Sequence, residues 1–421
     1  MIELIELLPG VELRCCRDGR FKQGCLSFQF VRPMDKAEAA LNALLPSVLL
    51  RGTNAHPTLR AITEHLDTLY GASVSTLVRR VGDYQTPGLY CGFMDDRFAL
   101  PGDRVLAPMV EFLGELLLDS PLKDGAFLPE FVEGEKKNLI ATIESELNDK
   151  RAYAMGRLLK TMCREDTFGL PRLGETEQVA AIQPDELYTH YRKILRESRI
   201  QIFYVGSAPA EALRELLMPL VSKLDRSYVK LPTQTTFSGT VGSHISEEMD
   251  VSQGKLCMGF TTSITNRDKE FPAMQLMNTI FGAGMTSKLF MNVREKLSLC
   301  YNVGSGYYGT KGIVTVSAGI DFDKEQQTRE EILRQLAACQ EGHITPEELT
   351  AAKESVLSSL RSTHDTPGAI EGYYATAALS GMAMTPKQYM DALEAVTLEQ
   401  VAAAARTVRL HSSFFLKGVS Q

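Results

Sequence analysis

An internal repeat constrains this chain more than any other feature. The stretch PEFVEGEKKNLIATIESELND, beginning at Pro129, corresponds without gaps to PEELTAAKESVLSSLRSTHDT, beginning at Pro346. In each copy a proline followed by a glutamate opens an apolar pattern at helical spacing: Val132, Leu139, Ile140 and Ile143 in one, Leu349, Val356, Leu357 and Leu360 in the other. Proline is tolerated at the first helical position because the N–H it lacks would have no partner there. Each half therefore carries an equivalent long helix. Two copies so far apart do not make a solenoid; they imply duplication of a whole domain of roughly 200 residues. The boundary falls in KLPTQTTFSGTVGS, where Thr, Ser and Gly replace large apolar side chains as in an exposed linker. We expect an N-terminal domain over residues 1–229, a linker over 230–243 and a C-terminal domain over 244–421.

Within each half, strand-like and helix-like segments alternate. GCLSFQFV and GLYCGFM in the first half, and KLCMGFTT and GIVTVSAGI in the second, have β composition between turn residues. VLAPMVEFLGELLLD and REEILRQLAACQEG carry amphipathic helical patterns. Neighbouring strands such as SVSTLVRRVGDYQTPGLYCGF suggest antiparallel pairing. The fold class is α+β, with two homologous domains, each a mainly antiparallel sheet with helices packed on one face.

Composition removes several alternatives. Hydrophobic residues make up 44% of the 421 and charged residues 23%, a globular balance that disordered chains lack. The net charge of −7, with no basic block, leaves no electrostatic footprint for nucleic acid. No apolar run approaches the roughly 18 residues of a membrane span, so no membrane is expected as partner. The opening MIELIELLPG has no cationic stretch before an apolar core, so we expect a cytoplasmic protein. The eight cysteines include no CxxC pair, which argues against both a disulfide framework and a thiolate zinc site.

Three stretches carry a resemblance: LLPSVLLRGTNAHPTLRAITEHLDTLYGAS, the helix from Glu130, and GAGMTSKLFMNVREKLSLCYNVGS. Together, over nearly the whole chain, they resemble the pitrilysin/insulinase family of zinc metallopeptidases, and in it the bacterial type that lacks the zinc motif. The resemblance implies two homologous halves with the fold type of LuxS and mitochondrial processing peptidase. It also implies where a zinc centre would be. Active members carry His-x-x-Glu-His on a helix just before a Gly-Thr turn. That spacing puts two imidazoles on one helix face and lets the glutamate reach a metal-bound water as general base. Registered on Gly52 and Thr53, those positions are Ala43, Pro46 and Ser47. A further family ligand, a glutamate on a later helix, registers on Thr142, with Glu135 matching another family glutamate seven residues earlier and Glu144 or Glu146 as alternative registers; a carboxylate alone would not restore the site. Alanine has no donor atom, a lone hydroxyl is a poor zinc ligand, and proline removes a helical N–H. We expect no metal bound by this chain and no catalytic residue in it.

Glu64 and His65 match the last two letters of the motif, but Ala61 stands where its first histidine would be. A helix face with an exposed acid and a partly packed imidazole accounts for them. The remaining histidines have no metal-motif spacing and are expected mostly at the surface. In the second half, REKLSLCY resembles the family segment that supplies an arginine and a tyrosine facing the zinc, here Arg294 and Tyr301. The resemblance implies that both bind substrate. Peptide hydrolysis places negative charge on the scissile oxygen, so Tyr301 would be the direct donor to it, and Arg294 would orient the tyrosine or hold backbone carbonyls.

These readings converge on a noncatalytic, zinc-free subunit of a two-chain metallopeptidase. A homologous zinc-bearing subunit would supply the metal, and a peptide or unfolded protein would be the substrate. The alternatives are a peptide-binding or scaffold protein with no role in hydrolysis, and an autonomous zinc peptidase with an unrecognised site.

Overall fold

A computed structural model describes residues 2–230, 237, 239 and 242–419. The expected linker, 230–243, lies largely outside these. Two compact units share the chain: Met1–Glu144, Pro171–Thr233 and His364–Thr376 form one, and Ser145–Leu170, Gln234–Thr363 and Ala377–Gln421 form the other.

The first unit is built on β1 (Ile2–Leu8), β2 (Val11–Arg17), β3 (Gln23–Pro33), β4 (Ser73–Val81) and β5 (Tyr84–Met94). A short hairpin of β6 (Leu122–Lys123) and β7 (Ala126–Phe127) stands apart, and β8 (Arg199–Gly206) returns to the main sheet. The sheet order is β1-β2-β8-β3-β5-β4, antiparallel except where β2 meets β8. Strand periodicity divides its faces. Leu26, Phe28 and Phe30 of β3 enter the core with Ile200, Ile202 and Tyr204 of β8. Against them pack α1 (Ala39–Leu49), α2 (Leu59–Thr68), α3 (Leu106–Leu118), the start of α4 (Pro129–Asn148), α7 (Pro184–Glu197) and α8 (Ala210–Val221), with the short α6 (Thr176–Ala181) between. Phe28 and Phe112 are completely or almost completely buried, each worth about 2–3 kcal/mol in removed apolar surface.

The second unit repeats this order. Its strands are β9 (His244–Met249), β10 (Gly254–Thr261), β11 (Asn302–Tyr308), β12 (Ile313–Ile320) and β13 (Arg409–Gly418), arranged β11-β12-β10-β13-β9. Reading β9, β13, β10, β12 and β11 for β2, β8, β3, β5 and β4 makes the two orders coincide, including the single parallel pair. The helices α9 (Phe271–Asn278), α10 (Glu325–Gln340), α11 (Pro346–Ser362), α13 (Pro386–Ala395) and α14 (Leu398–Ala405) pack on its core face. Helix α11 starts as its sequence suggests: Thr345 and Glu348 form a reciprocal capping box around Pro346. The α+β class and the paired, mainly antiparallel sheets match the sequence expectation.

The second face of each sheet is also covered, by a helix from the other half of the sequence. After the repeat helix α4, α5 (Lys150–Met162) joins the second unit, where Ala154 and Leu158 pack on Cys257, Phe414 and Leu416. After the repeat helix α11, the first part of α12 (Pro367–Ser380) joins the first unit, where Ile370 packs on Cys16, Cys25 and Val205. Beside Ile370, the Glu371 side chain is fully buried. Its carboxylate accepts Ser27 Oγ at 2.7 Å, Gln29 Nε2 at 2.8 Å and both Arg79 terminal nitrogens at 2.9 and 2.7 Å. Such a carboxylate is tolerable in a protein interior only because both oxygens have donors and the charge has a partner.

Candidate functional site

The positions registered on the metal motif lie on α1. Ala43 and Pro46 are buried and Ser47 is half-buried, with apolar Leu44, Leu45 and Val48 between and beside them. Pro46 sits inside the helix, where its carbonyl still accepts the Leu50 N–H at 3.1 Å but its own nitrogen donates nothing. Thr142, on α4, is exposed and uses its hydroxyl to bond the Asn138 carbonyl at 2.9 Å. Glu135 meets a cation already in the chain, Arg51, at 3.3 Å. These residues offer no donor set that fits zinc, and no group of three His, Cys, Asp or Glu able to hold a metal occurs among the described residues.

Two histidines meet just beyond this helix. His56 Nδ1 lies 2.8 Å from Glu115 Oε1, and the His56 and His65 rings are 4.5 Å apart. The Thr53 hydroxyl donates to the same Glu115 oxygen, so this carboxylate fastens the turn after α1 to α3. Burial, with His56 next to it, holds His65 below its ordinary range. The arrangement is a packing lock, since Glu115 is already engaged from two sides. His190 departs from the expected surface position. It is buried on α7, its Nε2 lies 2.7 Å from Asn42 Oδ1, and burial lowers its pKa to about 4. Asn42 in turn donates to Gln85 at 2.9 Å. A polar chain therefore runs from α7 through α1 to β5.

In the second unit the backbone is unusual where the resemblance concentrates. Thr279–Ala283 and Leu289–Lys296 are π-helical, with the Gly284 N–H donating to Thr279 O at 3.0 Å and the Leu297 N–H to Asn292 O at 3.1 Å. Such segments are frequent at functional sites. The second is pinned by Lys288 on Glu348 at 2.9 Å and by Asn292 on Gln335 at 2.9 Å. Sequence periodicity missed both, because an apolar stripe does not distinguish a π turn from an α turn. Between them runs the loop Gly284-Met285-Thr286-Ser287-Lys288, whose methionine is 80% exposed. The loop borders a groove of about 650 Å³, together with Arg151 of α5 and the bare backbone of Gly304 and Gly306 on β11. β11 ends the sheet order, so among the described residues it pairs with a strand, β12, on one side.

Arg294 stands on the second π segment, its guanidinium 4.6 Å from the Phe290 ring centre and 3.5 Å from Glu295. Ser298 then turns the chain in a left-handed conformation, φ +50°, and donates its N–H to the Arg294 carbonyl at 3.1 Å. Tyr301 follows, 61% exposed, its hydroxyl donating to Asp321 at 2.9 Å. No hydrogen bond joins the Arg294 and Tyr301 side chains.

Residues 181–356 match the family model described as the peptidase M16 inactive domain. The probable inactive metalloprotease YmfF of Bacillus subtilis is 28% identical over 97% of this chain and 96% of its own length. The chain is similar to M16 peptidase homologues described as inactive. A conserved protein from Enterococcus faecalis superposes with a TM-score of 0.93 at 27% identity, over 100% of this chain and 99% of that one. A peptidase M16 inactive domain from Pseudomonas fluorescens has the same fold, with a TM-score of 0.81 at 17% identity over 100% and 98%. That likeness is in keeping with the chemistry of α1, a helix on which Ala43, Pro46 and Ser47 offer no metal ligand set. No helix among the described residues is long and apolar enough to cross a membrane.

Proposed function

We propose that this M16 homologue is the noncatalytic, zinc-free subunit of a two-chain peptidase, located in the cytoplasm, in which a homologous zinc-bearing subunit supplies the metal. In this reading the chain binds an extended peptide or unfolded protein along the second unit and presents Arg294 and Tyr301 to it. One observation carries the proposal: the helix that registers on the metal motif offers no ligand set, while the second unit has a glycine-bare edge strand, a groove and an exposed methionine beside it. An unpaired strand edge offers backbone donors and acceptors to any extended chain, and glycine lets that chain approach closely. Methionine adapts to varied apolar side chains.

The test is reconstitution. The purified chain is mixed with zinc-bearing M16 homologues of the same cell, and cleavage of an unstructured fluorogenic peptide is followed. The expected outcome is activity that neither chain has alone, with a change in mass by light scattering. A partner that is fully active alone, and unchanged in rate and mass by this chain, ends the proposal. A scaffold without hydrolysis would instead leave Arg294→Ala and Tyr301→Phe silent in every assay of the complex.

A further inference from the structure

The surroundings of Tyr301 point to a chemical role different from the one the family resemblance implies. A phenol carries one proton and can accept through its oxygen lone pairs. Here the proton is directed at Asp321 Oδ1, 2.9 Å away, and Asp321 is held by Lys324 Nζ at 3.0 Å on its other oxygen. The same Lys324 reaches the Ser298 carbonyl at 3.4 Å, on the left-handed residue that sets the turn between Arg294 and Tyr301. The Tyr301 backbone is fixed as well, its N–H donating to Gly319 O at 2.8 Å. Two charged side chains at the end of β12 thus bracket both the turn and the hydroxyl. With the proton committed to Asp321, what the phenol oxygen has left to offer is an acceptor lone pair.

We propose that Tyr301 meets peptide as an acceptor for a backbone N–H, held in that orientation by Asp321 and Lys324, and not as a donor to a developing oxyanion. This rests on the reading that this surface binds peptide, and it assigns Asp321 and Lys324 as positioning residues. An extended strand offers an N–H toward a given side at every second residue, so an acceptor beside the strand sets register without reading side chains. The carboxylate that takes the proton also holds the Tyr301 phenol above its ordinary range, and Lys324 holds the Asp321 carboxyl below its own.

Two measurements on the full chain test this. The first is the phenol titration of Tyr301, taken from the ultraviolet difference between the wild type and Tyr301→Phe. Asp321→Ala, and Asp321→Asn as the shape-preserving control, are expected to move it to lower pH. An unmoved titration overturns the inference whatever becomes of the peptide-binding reading. The second measures binding of a fluorescein-labelled unstructured peptide and its singly N-methylated forms. One N-methyl position is expected to weaken binding to the wild type by about five-fold, the worth of one hydrogen bond, and to have no effect on Tyr301→Phe. Equal losses in both proteins at every position overturn it. If the peptide does not bind the wild type at all, the functional reading falls and this inference falls with it, while the titration still reports whether the Asp321 bond exists.

Discussion

At the scale of single residues, burial sets the strongest expectations. His190 is 6% exposed and its pKa is lowered to about 4, so the fold disfavours its charged form. The unfolded chain takes up that proton near the ordinary value of about 6.5, so stability is full above that pH and is lost as pH falls toward 4. Urea unfolding at pH 7 and pH 4.5 should differ by up to about 3 kcal/mol from this group, and His190→Gln should flatten the difference. Glu371→Ala should be more damaging at neutral pH. It leaves Arg79 without its carboxylate and removes the acceptor shared by Ser27 and Gln29, a loss of about 3–5 kcal/mol measurable as a fall in the unfolding midpoint. Zinc offered to the purified chain and then dialysed away should remain well below stoichiometric by metal analysis, because Ala43, Pro46, Ser47 and Thr142 supply no ligand set. The helical setting of Thr142 was legible in the sequence, in the apolar spacing that follows Pro129. His190 was not, because nothing in HYRK tells a buried imidazole from an exposed one.

At the scale of elements, duplication was legible and exchange was not. The repeat placed α4 and α11 in equivalent positions, and the capping box of α11 can be read directly from Thr-Pro-Glu-Glu. Thr345→Ala should accordingly cost about 1 kcal/mol, seen by denaturant unfolding with an unchanged slope. The helices that follow, α5 and α12, carry apolar residues whose pattern states that they are buried but not against which sheet. The signal available was on the strands. In GCLSFQFV the inward residues alternate with Cys25, Ser27, Gln29 and Val31, all buried too, so β3 needed cover on both faces. The two coverings differ in chemistry. Helix α5 adds to its apolar contacts around Ala154 and Leu158 a half-buried carboxylate, Glu247, bonded by Tyr153 and Arg157, whereas the α12 segment adds the fully buried Glu371. The π-helical segments lay beyond sequence reading for a related reason: an extra residue per turn shifts side chains around the axis without altering their composition.

At the scale of the whole molecule, each packed unit draws on three stretches of chain. A fragment ending at residue 230 therefore lacks the segment 364–376 that covers Val205, Cys25, Ser27 and Gln29. Expressed alone, it should be aggregation-prone and bind a dye for exposed apolar surface, and a synthetic peptide spanning that segment should reduce the dye signal. A fragment as cooperative as the full chain would contradict the packing described. During synthesis the same exchange sets a waiting time. The ribosome must add roughly 160–170 further residues after β8 completes the first sheet, about 8–35 seconds at typical elongation rates. Through that interval the nascent first half displays a partly uncovered sheet to the cell, and folding factors that shield such surfaces become part of this protein's biogenesis.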